Sequence, residues 1–171
     1  MTNFFPRVIS ASLSPNTESD DVWNTLRVLC MPWKWKQGKE ILDVTRWFQS
    51  YADSPDVFCF NSGRSALLAI LHAFDIGESD EVITQAFTCV AVPNSVLWAG
   101  ATPIYADIDA SYNLDPLDVE KKITQKTKAI IVQHTFGIPA DIEALQKIAK
   151  NHHLILIEDC AHSLGAASHG K

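Results

Sequence analysis

Several signals that define common protein classes are missing from this sequence of 171 residues. The four cysteines form no C-x-x-C pair, so neither a zinc site nor a redox motif is indicated. No apolar run approaches the roughly 20 residues that a membrane-spanning helix needs. The N-terminal residues also lack the basic start and apolar core of a signal peptide. We therefore predict a cytoplasmic protein without membrane association and without a bound metal.

Clustered basic residues are missing as well. Lys and Arg number 14 against 20 Asp and Glu, which gives a formal net charge of -6. Binding to nucleic acid depends on clustered Lys and Arg that neutralise phosphates, so this balance argues against a nucleic-acid partner. The two common nucleotide-binding fingerprints, G-x-x-x-x-G-K-[ST] and G-x-G-x-x-G, do not occur either.

From residue 56 onward, short apolar runs alternate with helical patterns. Continuous apolar runs are typical of strands that are buried on both faces, and alternation with helices implies a parallel sheet flanked by helices. The predicted strands are Val57–Phe60, Glu81–Thr84, Pro103–Ala106, Ala129–Gln133 and Leu154–Ile157. The predicted helices are Arg64–Phe74, Thr88–Trp98, Pro116–Ile123 with Asp115 as N-cap, and Ala140–Asn151.

The residues before this α/β region have a different character. Residues 1–20 are rich in Ser, Asn and Pro and are expected to be irregular, and apolar stripes predict helices over Asp21–Cys30 and Lys39–Ala52. We therefore divide the chain into an N-terminal segment, 1–55, and an α/β domain, 56–171. The last six residues, Ala-Ala-Ser-His-Gly-Lys, follow a strong strand and its turn without closing the fold, which suggests truncation.

The first candidate site is the segment 60–67, Phe-Asn-Ser-Gly-Arg-Ser-Ala-Leu, between a predicted strand and a predicted helix. Its small residues let backbone N–H groups approach an anion, and a helix N-terminus adds about half a positive charge. The segment can therefore hold a phosphate group. An ordinary strand-to-helix turn explains the same residues.

The second candidate site is the segment 157–162, Ile-Glu-Asp-Cys-Ala-His, at the end of the last predicted strand. Ligands of open α/β sheets bind outside the carboxyl ends of the strands. A carboxylate that faces a pyridine nitrogen would keep that nitrogen protonated, and the ring would then act as an electron sink. The alternative is that Asp159 caps the following turn and that His162 only packs.

Two weaker candidates follow other strands. His134 precedes a turn in which Asp141 can cap the next helix, and a lone histidine at such a place is more often structural than a ligand. Phe87 could stack on a flat ring, but for a lone aromatic a core position is the favoured interpretation. Cys59 and Cys160 lie in apolar runs and are likewise predicted to be small core residues.

Taken in order, these segments resemble the DegT/DnrJ/EryC1/StrS family of aminotransferases. The resemblance covers residues 56–171 nearly without gaps, and it is the order and spacing of the short motifs that make it specific. The matching segments are Ser62–Leu67, Gly77–Ile83, Gly100–Pro103, Asp107–Asp109, Thr127–Ile131, Gly137–Asp141 and Ile157–His162. The resemblance implies an α/β fold, here an incomplete large domain of a fold-type I enzyme that uses pyridoxal 5'-phosphate (PLP).

The resemblance also implies an activity. Members of the family mostly transfer an amino group from glutamate or glutamine to a keto group on a nucleotide-linked sugar, as in polysaccharide biosynthesis. They usually work as homodimers whose active sites are shared between the subunits. The expected partners are therefore an amino-acid donor, a nucleotide-linked sugar and a second copy of the chain.

Six residues are assigned to the cofactor by the resemblance. They are Gly63, Arg64, Ser65, Cys89, Asp159 and His162. The first three would hold the phosphate, although the family usually has Thr and Ala after the glycine. The aspartate would pair with the pyridine nitrogen, and the histidine would lie near the ring hydroxyl. The cysteine occupies a position where many members stack an aromatic ring, and it cannot supply that stack.

The lysine that forms the family's Schiff base lies in a Ser-Phe-x-x-x-Lys segment, and no such segment occurs here. Lys171 matches a different turn of the family. Imine formation requires an amine, so we expect the chain as given to be an inactive N-terminal fragment with no catalytic residue of its own. Three alternatives stay open: a non-catalytic stump or partner-binding domain, a sugar dehydratase with His in place of that lysine, and an unrelated nucleotide-binding α/β domain.

Overall fold

The computed structural model describes residues 18–35 and 38–166. The chain divides after Cys59 into two compact units. Almost all of the irregular segment predicted over residues 1–20 lies outside the described residues, and so does Lys171.

The first unit contains two helices close to the predicted ones. Helix α1 spans Ser19–Leu29 and helix α2 spans Lys39–Tyr51. A short 3₁₀ turn, Pro32–Lys34, follows α1, and the indole N–H of Trp35 donates a 2.8 Å hydrogen bond to the Val28 carbonyl. That bond holds the turn against the end of α1.

The second unit is a parallel sheet with helices on both faces, as predicted. Its four strands lie in the order β2-β1-β3-β4. They are β1 (Glu81–Gln85), β2 (Thr102–Ala106), β3 (Thr127–Gln133) and β4 (Ile155–Asp159). The helices are α3 (Gly63–Ala73), α4 (Ala91–Trp98), α5 (Pro116–Lys122) and α6 (Ile142–Asn151). Within the described ranges, every helix is too short or too polar to cross a membrane.

The strand order reverses between β1 and β3. Strand β2 pairs with one edge of β1. The chain then crosses to β3, which pairs with the opposite edge of β1, where Thr84 is in register with Ile131. The carboxyl ends of the strands at such a reversal form the crevice in which open α/β sheets bind ligands. The topology therefore places any ligand site above β1 and β3.

Each face of the sheet has its own apolar core. Side chains alternate along a strand, so Ile130 and Ile131 of β3 point to opposite faces. One cluster packs under α3 and α4 and includes Leu67, Leu71, Val82, Val92, Val96, Ile131 and Ile157. The other packs under α5 and α6 and includes Ile83, Val119, Ile130, Val132, Leu145 and Ile148. We call these two sides the α3–α4 face and the α5–α6 face.

The strand predicted over Val57–Phe60 is wrong. These residues form no strand, and Phe58 and Phe60 are exposed. A strand needs a neighbour for its backbone N–H and C=O groups, and none of the described strands pairs with this segment. The prediction that Cys59 and Cys160 are core residues is wrong for related reasons, since both thiols are exposed. Cys59 lies in the unpaired segment, and Cys160 follows the edge strand β4.

The predicted N-caps of two helices are confirmed. Asp115 accepts a 2.9 Å hydrogen bond from the Leu117 N–H at the start of α5. Asp141 accepts a 3.0 Å bond from the Ala144 N–H at the start of α6. Both carboxylates satisfy N–H groups that a helix leaves free in its first turn.

Asp118 joins α5 to the end of β2. Its carboxylate accepts a 2.8 Å hydrogen bond from the Asp107 N–H and lies 3.2 Å from the Lys122 ammonium. The Asp107 N–H, helped by Lys122 and opposed by burial, holds the pKa of the Asp118 carboxyl below its ordinary value. A carboxyl of this kind stabilises the fold above its ordinary pKa, and that stabilisation disappears as the pH falls through the folded value.

We therefore expect Asp118→Asn to lower the melting temperature near neutral pH and to lose this effect in acid. The expected result is a difference from the wild type that shrinks steadily from about pH 7 to about pH 3. Thermal unfolding followed by circular dichroism measures it, with Glu78→Gln as the control because Glu78 is exposed. A difference that is the same at both ends of this range would contradict the assignment.

Candidate functional site

The start of α3 presents free hydrogen-bond donors. Ser62 caps the helix, since its hydroxyl accepts a 3.2 Å bond from the Ser65 N–H and its carbonyl accepts a 3.1 Å bond from the Ala66 N–H. The N–H groups of Gly63 and Arg64 have no partner among the described residues. Because α3 ends just before β1 begins, its free N-terminus lies near the carboxyl edge of the sheet.

The space in front of Gly63 is open. A Cβ atom placed on this residue would meet no other atom within 4 Å. The Ser65 hydroxyl lies close by, 3.1 Å from the hydroxyl of Ser62. Free N–H groups, the positive end of a helix and open space together are suited to hold an anion.

The side chain of Arg64 lies near the C-terminal end of α4. Its guanidinium carbon lies 5.8 Å from the ring centroid of Trp98, the last residue of α4, which is a cation–π distance. The carbonyl of Arg64 also accepts a 3.3 Å bond from the Ser95 hydroxyl, one turn earlier in α4. The donor that Arg64 offers at the start of α3 is therefore its backbone N–H.

Two adjacent carboxylates at the end of β4 point to opposite faces of the sheet. Ile157 belongs to the core of the α3–α4 face, so Asp159 also lies on that face and Glu158 on the other. One carboxylate oxygen of Asp159 accepts a 3.1 Å bond from the Ala161 N–H. The other oxygen has no partner in the described part of the chain. Asp159 therefore caps a turn and still keeps one oxygen for a ligand, on the same face as α3.

Cys89 lies in the loop that follows β1, and its thiol is exposed. The neighbouring Thr88 hydroxyl donates to the side-chain carbonyl of Gln133, which anchors this loop. Gln133 pairs in register with Asp159. The anchor therefore places Cys89 on the side of the sheet where Asp159 lies. Sequence reasoning missed Thr88 and Gln133, and the only available signal was a polar residue at the end of the apolar run of β3.

His162 packs beside Phe136 in the loops that follow β4 and β3. Their rings are parallel within 2° and their centroids are 6.2 Å apart. Gly137 makes this approach possible, because its φ is +82° and a Cβ atom there would lie 3.3 Å from the His162 carbonyl. Phe87 is 48% exposed, so its interpretation as a core residue is wrong.

His134, Glu158 and Cys160 bring three potential metal ligands within 4.8 Å of one another. However, His134 Nδ1 accepts a 3.1 Å bond from the Ala140 N–H, so the proton of the neutral ring is on Nε2, which lies 3.3 Å from the Glu158 carboxylate. A histidine that binds a metal normally donates from its second nitrogen. The hydrogen bonds therefore make His134 a structural residue that joins the end of β3 to β4.

Comparisons of sequence and of structure with known proteins point to one family. Residues 16–171 match the family model of the DegT/DnrJ/EryC1/StrS aminotransferases. The chain is 42% identical over 135 residues to dTDP-3-amino-3,6-dideoxy-alpha-D-galactopyranose transaminase of Aneurinibacillus thermoaerophilus, covering 78% of this chain and 37% of that relative. It is 34% identical over 167 residues to GDP-perosamine synthase of Caulobacter vibrioides, covering 97% of this chain and 44% of that relative.

A solved structure shows the same architecture. The crystal structure of NtdA from Bacillus subtilis with the bound cofactor PMP superimposes with a TM-score of 0.82 at 31% identity, over 91% of this chain and 36% of that chain. The chain thus spans less than half the length of the proteins it matches. The α/β fold with its parallel sheet is part of a fold known from these larger proteins. The chain belongs to the DegT/DnrJ/EryC1/StrS aminotransferase family.

Proposed function

We propose that the protein is a PLP-dependent aminotransferase that transfers an amino group from an amino acid such as glutamate to a keto group on a nucleotide-linked sugar. The family match supports this proposal, as do the names of a dTDP-sugar transaminase and a GDP-perosamine synthase among the relatives. We take residues 56–171 as its cofactor-binding domain. A homodimer is the state in which we expect it to act, as the family resemblance implies.

One observation carries the proposal. The free N–H groups at the start of α3 and the free oxygen of Asp159 lie on one face of the sheet, near its carboxyl edge. PLP has a phosphate group at one end and a pyridine nitrogen on its ring. Two N–H donors with open space before them fit the phosphate, and a carboxylate with a free oxygen fits a protonated ring nitrogen. The residues present therefore fit the cofactor.

Each of these residues has a definite task in the proposal. Gly63 and Arg64 donate their backbone N–H groups to the phosphate, and Ser65 adds its hydroxyl. The negative charge of Asp159 keeps a proton on the pyridine nitrogen. His162 exchanges a hydrogen bond with the ring hydroxyl. When bound, PLP supplies an electron sink that makes amino-group transfer possible.

The face of the cofactor ring is where this chain departs from the family. Cys89 provides no aromatic surface, so van der Waals contact with the thiol replaces a stack. The bond from Thr88 to Gln133 still holds the loop in place. We therefore expect cofactor affinity to depend more on the phosphate end of the site than it does in relatives with an aromatic residue at this position.

An assay of the full-length protein tests the proposal. With PLP, L-glutamate and a keto sugar nucleotide, we expect release of 2-oxoglutarate. Gly63→Ala should weaken PLP binding about tenfold, because its methyl group occupies the open space while touching no protein atom. Absorbance titration with PLP measures the affinity.

Ser62→Ala is the matched control at the same helix start. It removes the N-cap, so it should cost about 1 kcal/mol of stability while leaving the N–H groups of Gly63 and Arg64 in place. If the wild type and Gly63→Ala bind PLP with the same affinity, the start of α3 does not contribute to the cofactor site. The absence of any PLP binding to the wild type would reject the function.

A further inference from the structure

Four aromatic rings form a continuous row along the carboxyl edge of the sheet. Tyr112, Phe87, Phe136 and His162 lie in the loops after β2, β1, β3 and β4, so the rings follow the spatial order of the strands. Successive ring centroids are 6.0, 6.2 and 6.2 Å apart. We call these four residues the aromatic row.

The row is exposed where an aromatic cluster would ordinarily be buried. Tyr112 is 54% exposed and Phe136 is 67% exposed. Contiguous exposed apolar surface usually marks a site of interaction. Both residues also have left-handed backbone angles, with φ of 63° and 55°. This conformation is unfavourable for large side chains, and strained residues of this kind cluster at functional sites.

A buried side-chain amide holds the two loops that carry the central rings of the row, Phe87 and Phe136. Gln85 is 1% exposed, and its Nε2 donates a 2.7 Å bond to the Phe87 carbonyl and a 2.9 Å bond to the Thr135 hydroxyl. Thr135 directly precedes Phe136 in the chain. One side chain from β1 therefore holds the loops of both phenylalanines, so the row is organised before any ligand arrives.

We propose that the aromatic row is a stacking surface for the nucleobase of the substrate, an inference that rests on the proposed function. In that function the reacting carbon of the sugar meets the cofactor, and His162 is the member of the row assigned to the cofactor, so we place that carbon toward the His162 end. The nucleotide is the part of the substrate remote from that carbon. It therefore extends along the row toward Phe87 and Tyr112.

The ring geometry favours a flat aromatic ligand. Phe87 is tilted by 48° relative to Tyr112 and by 60° relative to Phe136, so these rings do not cover one another's faces. Every nucleobase has a π-face that can stack on aromatic side chains, whichever donors and acceptors lie along its edge. The phosphates have no such face, and a flat base covers an aromatic ring more fully than a puckered sugar does, so we assign the base as the occupant.

Saturation-transfer NMR on the full-length, PLP-loaded protein tests the inference. The probes are the diphosphates of uridine, thymidine and guanosine, with ribose 5-phosphate as the probe without a base. We expect the strongest saturation on the base protons, and weaker binding of ribose 5-phosphate. PLP binding is read separately from its absorbance.

Phe136→Asn and Tyr112→Asn are the informative variants, because Asn tolerates the left-handed backbone that both positions require. Each should weaken binding of the preferred nucleoside diphosphate about fivefold or more, and Tyr112→Asn, at the end of the row away from His162, should leave PLP affinity unchanged. Phe136→Tyr, which keeps an aromatic ring at this position, should bind the nucleotide as the wild type does. Phe74→Ala, at the far end of α3, removes an equally exposed ring outside the row and should have no effect.

The outcomes separate this inference from the proposed function. If the wild type binds PLP but both Asn variants bind the nucleotides as tightly as the wild type does, the inference fails and the function stands. A change of oligomeric state in these variants, with unchanged nucleotide binding, would assign the row to a protein interface instead and overturn the inference. If the wild type binds no PLP, the proposed function fails.

Discussion

Replacing Asp159 with Asn should reduce turnover by orders of magnitude while the fold stays intact. Asn has the same shape, and its side-chain oxygen can still accept the 3.1 Å bond from the Ala161 N–H. The turn after β4 therefore survives. Under the proposed function, what is lost is the negative charge that would keep a proton on the pyridine nitrogen, and with it the ability of the ring to withdraw electrons.

Steady-state kinetics of the full-length protein, with circular dichroism to confirm the fold, measures this effect. Glu158→Gln is a closely matched control, because it removes a carboxylate one residue away on the opposite face of the sheet. It should change kcat far less than Asp159→Asn does. Equal kcat values for the wild type and Asp159→Asn would show that this carboxylate does not face the cofactor.

The elements of the second unit were predictable because their signals are local. Apolar runs indicated β3 and β4, and an aspartate at the start of a helical pattern indicated the caps of α5 and α6. The predicted boundaries differ from the observed ones by at most three residues. The exception, Val57–Phe60, has strand-like residues but no neighbouring strand, and pairing depends on residues far away in the chain.

The arrangement of the site was predictable only in part. The resemblance selected Gly63 and Asp159, but the sequence does not show that Asp159 shares a face with α3 while Glu158 does not. The order of the strands decides this, through contacts between residues far apart in sequence. The aromatic row illustrates the same limit. Its members are separated by about 25 residues along the chain, so no local pattern connects Phe87 with Tyr112.

Asn113 is another residue whose role local sequence patterns could not identify. It is fully buried between two loops at the carboxyl edge. Its Oδ1 accepts a 2.8 Å bond from the Thr135 N–H, and its Nδ2 donates a 3.0 Å bond to the Ile138 carbonyl. These bonds hold both ends of the turn that carries Phe136 in its left-handed conformation. A polar residue in the loop after β2 thereby determines the shape of the loop after β3.

We expect Asn113→Ala to lower the free energy of unfolding by about 2 to 4 kcal/mol, since the buried Thr135 N–H loses its acceptor and the Ile138 carbonyl loses its donor. Urea unfolding measures the loss, and Asn151→Ala at the exposed end of α6 is the control that should change stability little. Asn113→Asp keeps an acceptor for Thr135 but places a second oxygen against the Ile138 carbonyl, so it should also be destabilised. If Asn113→Ala is as stable as the wild type, Asn113 does not stabilise the turn, which would then be held by its own backbone hydrogen bonds and by Gln85.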